Sequence, residues 1–202
     1  MKILIFTPCL RLEPETIDSI LHQINIEMHS VDVMFTHDNP FEQGSRNVSY
    51  NYNKMRRIVL EEEYDKVWIC ESDIIPQKNA LSKLLLIDTP IATGFYLLRH
   101  GTPSPNLMVR DTISIHWKKL QDNWNKVIEV AGGCMGCLLI DKSILEQYTF
   151  EYDDKIPPDS PFMFWCQTNM IKQKADLSVI CGHKRPDGKI IYPDYNKDYS
   201  IV

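Results

Sequence analysis

The feature that most constrains this chain is an alternation in its first hundred residues: short apolar runs take turns with longer amphipathic stretches. "KILIFTP" (Lys2 to Pro8) is a continuous apolar run, the pattern of a strand covered on both faces. "EPETIDSILHQI" then places Ile17, Ile20, Leu21 and Ile24 at helical spacing, with Pro14 in the first turn. "VDVMFTHDNP" reads as a second strand entering a polar turn, and "RNVSYNYNKMRRIVLEEEYD" puts Val48, Tyr52, Met55 and Val59 on one helical face. "KVWIC" is a third strand. A helix from about Asn79 to Leu86, with Leu81, Leu84 and Leu85 inward, leads to "PIATGFYLL", a fourth. This βαβαβαβ order predicts an α/β fold with a mixed, mostly parallel sheet flanked by helices.

The second half is less regular. From Arg99 to Asn125 we expect loops and short strands, with Trp117 and Trp124 either packing the core or stacking on a sugar. "KVIEVAGGCMGCLLIDKSILEQY" reads as strand, glycine turn, strand and a short helix opening at Asp141. "DSPFMFWCQTNMIKQ" is a helix, "LSVICGH" a last strand, and the tail from Lys184 is irregular. No linker separates the halves, so residues 1–202 form one domain, with 1–98 and 99–202 as its two parts.

The chain has 202 residues and a net charge of −5, which disfavours a broad electrostatic grip on nucleic acid. No apolar run reaches the ~20 residues of a membrane helix, so the chain is not expected to be an integral membrane protein. The opening "MKILIFTPCLR" is read as a buried strand rather than a signal peptide, because Pro8 and Arg11 interrupt it. Six scattered cysteines suit buried free thiols in a reducing compartment, hence a cytoplasmic location.

The third strand ends in "WICESDIIP". If it stays extended through Asp73, Glu71 and Asp73 point to the same side and repel unless a cation lies between them. Ligands of open α/β sheets bind at the carboxyl ends of strands, where these acids fall. Hard cations such as Mn²⁺ or Mg²⁺ take one or two carboxylates plus substrate phosphates. A solvated acidic turn capped by Ser72 and Asp73 explains the same letters.

The order of motifs adds to this. The segment from Ser45 to Asp88, with its Arg46-Asn47 pair, buried strand, Glu71-Ser72-Asp73, proline and helix, resembles the nucleotide-sugar half of GT-A fold glycosyltransferases, family 2-like members especially. "PIATGFYLL", "AGGCMGCLLIDKSILE" and "DSPFMFWCQTNMIKQKADLSVICGH" resemble the family's later segments, so the likeness runs from Met1 to His183. It implies a single GT-A (Rossmann-like) domain that moves a sugar, of the hexosyl type, from a UDP- or GDP-sugar to a glycan, lipid or protein hydroxyl. It implies Mn²⁺ or Mg²⁺ as cofactor, with Asp73, Glu71 and His183 as metal ligands. It places Asp159 as the base of an inverting transfer. Donor contacts would come from Thr7, Pro8, Asp38, Arg46, Asn47, Glu71, Ser72, Asp73, Gly132, Gly133, Lys184 and Lys189.

Several of these residues have a plainer reading. Asp159 before Ser-Pro is a good N-cap, Asp38-Asn39-Pro40 is an ordinary turn, and Gly132-Gly133 is a tight turn or a close backbone approach. Three rivals stand beside the transferase. One is a GT-A-like domain that only binds. Another is a sugar-phosphate nucleotidylyltransferase, disfavoured because "TPCLRLEPE" lacks a glycine loop. The third is a zinc site from Cys134, Cys137, Cys166, Cys181 and His183.

Overall fold

The computed structural model describes residues 1–202 apart from Leu10, His100, Asp111 and Thr112. The first half follows the alternation: β1 (Lys2–Pro8), α1 (Pro14–Leu21), β2 (Ser30–Thr36), α2 (Gly44–Glu61), β3 (Lys66–Cys70), β4 (Ile74–Pro76), α3 (Ala80–Leu85) and β5 (Ile91–Phe95). Between 99 and 125, where His100, Asp111 and Thr112 lie outside the described residues, the pieces are short. They follow β6 (Leu97–Leu98) as β7 (Ser104–Pro105), β8 (Leu107–Arg110), β9 (Ile113–Ser114) and α4 (Trp117–Asp122). Then come β10 (Val127–Val130), β11 (Gly132–Gly133), β12 (Cys137–Asp141), α5 (Lys142–Gln147), α6 (Asp159–Thr168), β13 (Gln173–Lys184), β14 (Ile190–Asp194) and β15 (Asp198–Ile201).

The main sheet has the order β2-β1-β3-β12-β5-β13, extended by β14 and β15. β1 is parallel to β2 and β3, and β13 is parallel to β5, while β12 opposes both its neighbours. Five of the six central strands therefore share one direction, and β1, β3 and β5 end on the same edge. The continuous apolar runs have a direct cause. Alternate residues of β1 go to opposite layers: Ile3 and Ile5 join Ile20, Leu81 and Leu84 of α1 and α3. Leu4 and Phe6 join Tyr52, Met55 and Val59 of α2 and Leu145 of α5. Both faces are covered, so apolar residues dominate on each, and each large side chain buried there contributes roughly 1.5–3 kcal/mol.

A third cluster lies under the irregular segment. Phe95 meets the rings of Trp117 and Trp124 edge-on, with centroids 5.9 and 5.8 Å away. Leu107, Leu120, Leu177 and Ile191 pack around them. Both tryptophans thus take the packing alternative.

Three expectations need correction. β3 does not run through Asp73: it stops at Cys70, and the chain turns, with the Ile74 N–H donating to the Glu71 carbonyl at 3.0 Å. The turn forms because β4 leaves β12 and pairs instead with β13, Ile74 opposite His183. The tail is not irregular. The Arg185–Lys189 turn, with Gly188 at φ +85°, lets β14 fold back on β13, and β15 pairs with β14. Gly132 and Gly133 form strand β11 against β8 rather than a turn. Positive φ among described glycines belongs to Gly101 and Gly188.

Gly136 shows how tightly the strand ends are packed. Its carbonyl accepts the Glu71 N–H at 3.0 Å, and its own N–H donates to the Tyr96 hydroxyl at 3.0 Å. An added Cβ would lie 2.6 Å from that hydroxyl oxygen and 3.0 Å from Ile74 Cγ1. Gly136→Ala should therefore cost about 1–3 kcal/mol in urea unfolding. Gly44→Ala, whose Cβ would meet nothing within 4 Å at the start of α2, should leave stability unchanged or raise it by up to about 1 kcal/mol. Equal stabilities for the two variants would contradict this packing.

Candidate functional site

A cavity of about 480 Å³ opens at the carboxyl ends of β1 and β3. Its wall takes Pro8 and Cys9 from the end of β1, Asn39 from beyond β2, and Gly44, Asn47, Val48 and Asn51 from α2. Glu71, Ser72 and Asp73 form its floor, and Arg11, Glu13, Arg99, Lys184 and Arg185 bring charge to its rim. The topology accounts for the location, since strands that share a direction bring their following loops to one edge.

The carboxylates are held apart by different partners. Glu71 accepts a hydrogen bond from the Tyr52 hydroxyl at 2.8 Å. Burial pushes its carboxyl up to about 7, and Asp73 beside it adds to the shift. Asp73 behaves oppositely. Burial works to raise it, but His183 and the Arg99 guanidinium outweigh that and hold it below the ordinary carboxylate range. The Arg99 Nη1 lies 2.6 Å from Asp73 Oδ2 and donates to the Lys184 carbonyl at 2.7 Å. His183 Nε2 stands 3.7 Å from the same Oδ2. Its Nδ1 lies 2.6 Å from the Leu97 carbonyl, which can only accept, so Nδ1 carries the proton. In the neutral ring, Nε2 therefore presents a lone pair toward a carboxylate.

Asp73 Oδ2 is already met by the Arg99 guanidinium, so a metal ion there would have to share or replace that contact. This donor set fits Mn²⁺ or Mg²⁺, which use few protein ligands and complete their shells with phosphate and water. Among the described residues no three His, Cys, Asp or Glu side chains form a ready cage, neither the expected set of Asp73, Glu71 and His183 nor the cysteines of the zinc alternative. The six cysteines are free and buried.

Other expected residues are distributed as follows. Pro8, Asn47, Ser72 and Lys184 line the cavity with Glu71 and Asp73. Asn47 is committed locally, since its side-chain amide bonds both the N–H and the carbonyl of Phe41, at 2.9 and 2.7 Å. Lys184 is neutralised by Glu13 at 2.8 Å and Glu15 at 2.7 Å, which fits it poorly for gripping a phosphate. Lys189 is exposed beyond the wall. Asp38 pairs with Lys54, and Arg46 lies 4.5 Å above the Phe41 ring with Asp154 at 3.8 Å. Thr7 is fully buried with no partner for its hydroxyl. Gly132 and Gly133 press against Met163 and Thr93, away from the cavity wall.

Asp159 is the first residue of α6, so it does not cap the helix from outside; Pro158 holds that place. Its Oδ1 accepts the Ser160 N–H at 3.0 Å, and burial raises its carboxyl. It lies close enough to Glu71, Tyr52 and Tyr96 to raise each of them. The residues that sequence reasoning missed are Tyr52, Arg99 and Arg11. Tyr52 was legible only as a core position of α2, and the arginines sit in loops without a motif.

The Glu71 shift has a sign. Its folded value of about 7 lies above the ordinary 4.5, so between those values the folded chain holds more protons than the unfolded one. Stability should therefore fall as pH rises through that window and level off above it. In metal-free buffer, Glu71→Gln should remove on the order of 1–2 kcal/mol of the loss between pH 5 and 8. Urea unfolding at both pH values measures this; identical slopes for variant and wild type would contradict the assignment.

No family model matches the sequence, and no curated protein does. Solved structures do. A197 from STIV is similar with a TM-score of 0.64 at 16% identity, over 98% of this chain and 93% of that one. The inositol-1-phosphate CTP transferase from T. maritima aligns with a TM-score of 0.50 at 10% identity, over 87% of this chain and 84% of that one. The catalytic domain of a Drosophila beta1,4galactosyltransferase 7, complexed with xylobiose, gives 0.48 at 11% identity; 87% of this chain is covered, but only 64% of that one. At these identities the likeness is one of fold alone, in keeping with the α/β arrangement of a mostly parallel sheet flanked by helices expected from the sequence.

Proposed function

We propose that the chain is a metal-dependent glycosyltransferase that uses a nucleoside-diphosphate sugar. The observation that carries this reading is the Asp73 carboxylate on the floor of a cavity large enough for a nucleotide, with Nε2 of His183, buried just behind the lining, 3.7 Å from it. The nucleoside would lie along Pro8, Cys9 and Asn39, with its diphosphate toward Asp73. Asp73 and His183 would hold Mn²⁺ or Mg²⁺, with Glu71 behind them. When bound, the cation supplies a Lewis acid for the leaving diphosphate. Arg11, paired with Glu13, and Arg185, 3.5 Å from Asp187, are guanidinium groups at the rim that could turn to phosphate oxygens.

Asp159 would act from the other side of Glu71. Burial raises its carboxyl, which suits a base that takes a proton in a partly dry site. It would remove the hydroxyl proton of the acceptor as that oxygen bonds to the anomeric carbon and the bond to the diphosphate breaks, giving inversion. Tyr52 holds Glu71 in place through its hydroxyl. The acceptor would enter from the 99–202 part. Among the described residues no helix is long and apolar enough to cross a membrane.

Thermal unfolding with UDP, GDP and their sugars tests the donor. With Mn²⁺ and one nucleotide at about 100 times its Kd, stability should rise by about 2.7 kcal/mol. Removing the metal with EDTA, or Asp73→Asn, should abolish the rise. No shift with any nucleotide would contradict the reading. Asp159→Asn should keep the shift but lower sugar transfer or donor hydrolysis by about 10²–10⁴-fold; full turnover in that variant would remove Asp159 from the mechanism.

A further inference from the structure

Resting on that reading of the site, we propose that Arg99 is an internal competitor of the divalent cation. Its guanidinium occupies the Asp73 oxygen that the cation needs, and it passes to the nucleotide diphosphate when the cation takes its place. Three observations carry the argument. Arg99 Nη1 and His183 Nε2 address the same atom, Asp73 Oδ2, at 2.6 and 3.7 Å. The position is built, because the Nη1 is also anchored on the Lys184 carbonyl at 2.7 Å, and the Lys184 N–H in turn donates to the Asp73 carbonyl at 2.8 Å. Finally, Arg99 directly follows β6, whose Leu97 carbonyl fixes the His183 tautomer, so one short segment sets both the cation-ligand nitrogen and its rival.

A planar, permanently charged guanidinium is well matched to a carboxylate and equally to a phosphate. Displaced from Asp73 by a divalent ion, Arg99 would remain on the cavity wall, where a bound diphosphate would offer it another anion. The consequence is that one side chain weakens binding of the metal alone and strengthens binding of the nucleotide once the metal is in place. Metal and nucleotide then favour each other by more than their direct contact provides.

Arg99→Gln, whose amide can still donate to the Lys184 carbonyl, is the first variant; Arg99→Met is the second, used if the first does not unfold cooperatively. Arg185→Met removes one positive charge from the same wall without touching Asp73. Mn²⁺ binding without nucleotide is read by the loss of the free-ion electron paramagnetic resonance signal. UDP and GDP binding at saturating Mn²⁺ is read by calorimetry. The Arg99 variant should bind Mn²⁺ alone at least tenfold more tightly than wild type, and Arg185→Met within threefold. The Arg99 variant should also bind the nucleotide at least fivefold more weakly. Unchanged or weaker Mn²⁺ binding in the Arg99 variant, an equal gain in Arg185→Met, or unchanged or tighter nucleotide binding would overturn the proposal while leaving the metal-dependent reading intact. If wild type binds no Mn²⁺ even with UDP or GDP, both fall together.

Discussion

Two carboxylates placed side by side in a partly buried floor are expensive to keep charged, and the rest of this site is arranged around that expense. The charge of Asp73 raises the carboxyl of Glu71. The chain resolves the conflict unequally. Tyr52, from the core face of α2, donates to Glu71, whose carboxyl is pushed up to about 7. Asp73 remains the charged member because His183 and Arg99 both address it. The pair is thus split into a charged Asp73 held by Arg99 and a Glu71 that takes up a proton more readily.

The fold makes this possible through a break in its own regularity. β3 ends at Cys70, and the following turn hands the chain from β12 to β13. That transfer sets Ile74 opposite His183, and so brings an imidazole from the end of the last central strand onto the acids from the end of the third. Gly136 and Tyr96 fill the space beneath, with the Tyr96 ring edge-on to His183 at 5.6 Å between centroids. Packing in the core and chemistry at the floor share these residues. A change at Gly136 would therefore disturb the site as well as the sheet.

Much of the architecture was legible because its cause is local. A run such as Lys2–Pro8, apolar at every position, has few interpretations other than a strand covered on both faces, and Tyr52, Met55 and Val59 at helical spacing find that cover. The tail was misread for a tertiary reason: Ile190–Asp194 becomes strand only because Gly188 turns it back onto β13. Within the site, Glu71, Asp73 and His183 could be found because they punctuate apolar strands. Arg99 and Arg11 could not, since a loop arginine has no pattern. Lys184 looked like a phosphate ligand in the sequence, and only the fold shows Glu13 and Glu15 reaching it from the start of α1.

The central claim is that Asp73 and His183 jointly hold a divalent cation that carries a nucleotide diphosphate. Crystals grown or soaked with MnCl₂ and UDP or GDP, with data collected near the manganese edge, address it directly. The account predicts an anomalous peak bonded to Asp73 Oδ2 and His183 Nε2, in contact with the diphosphate. Nucleotide bound with no peak there, and Asp73 still bonded to a protein cation, would contradict it.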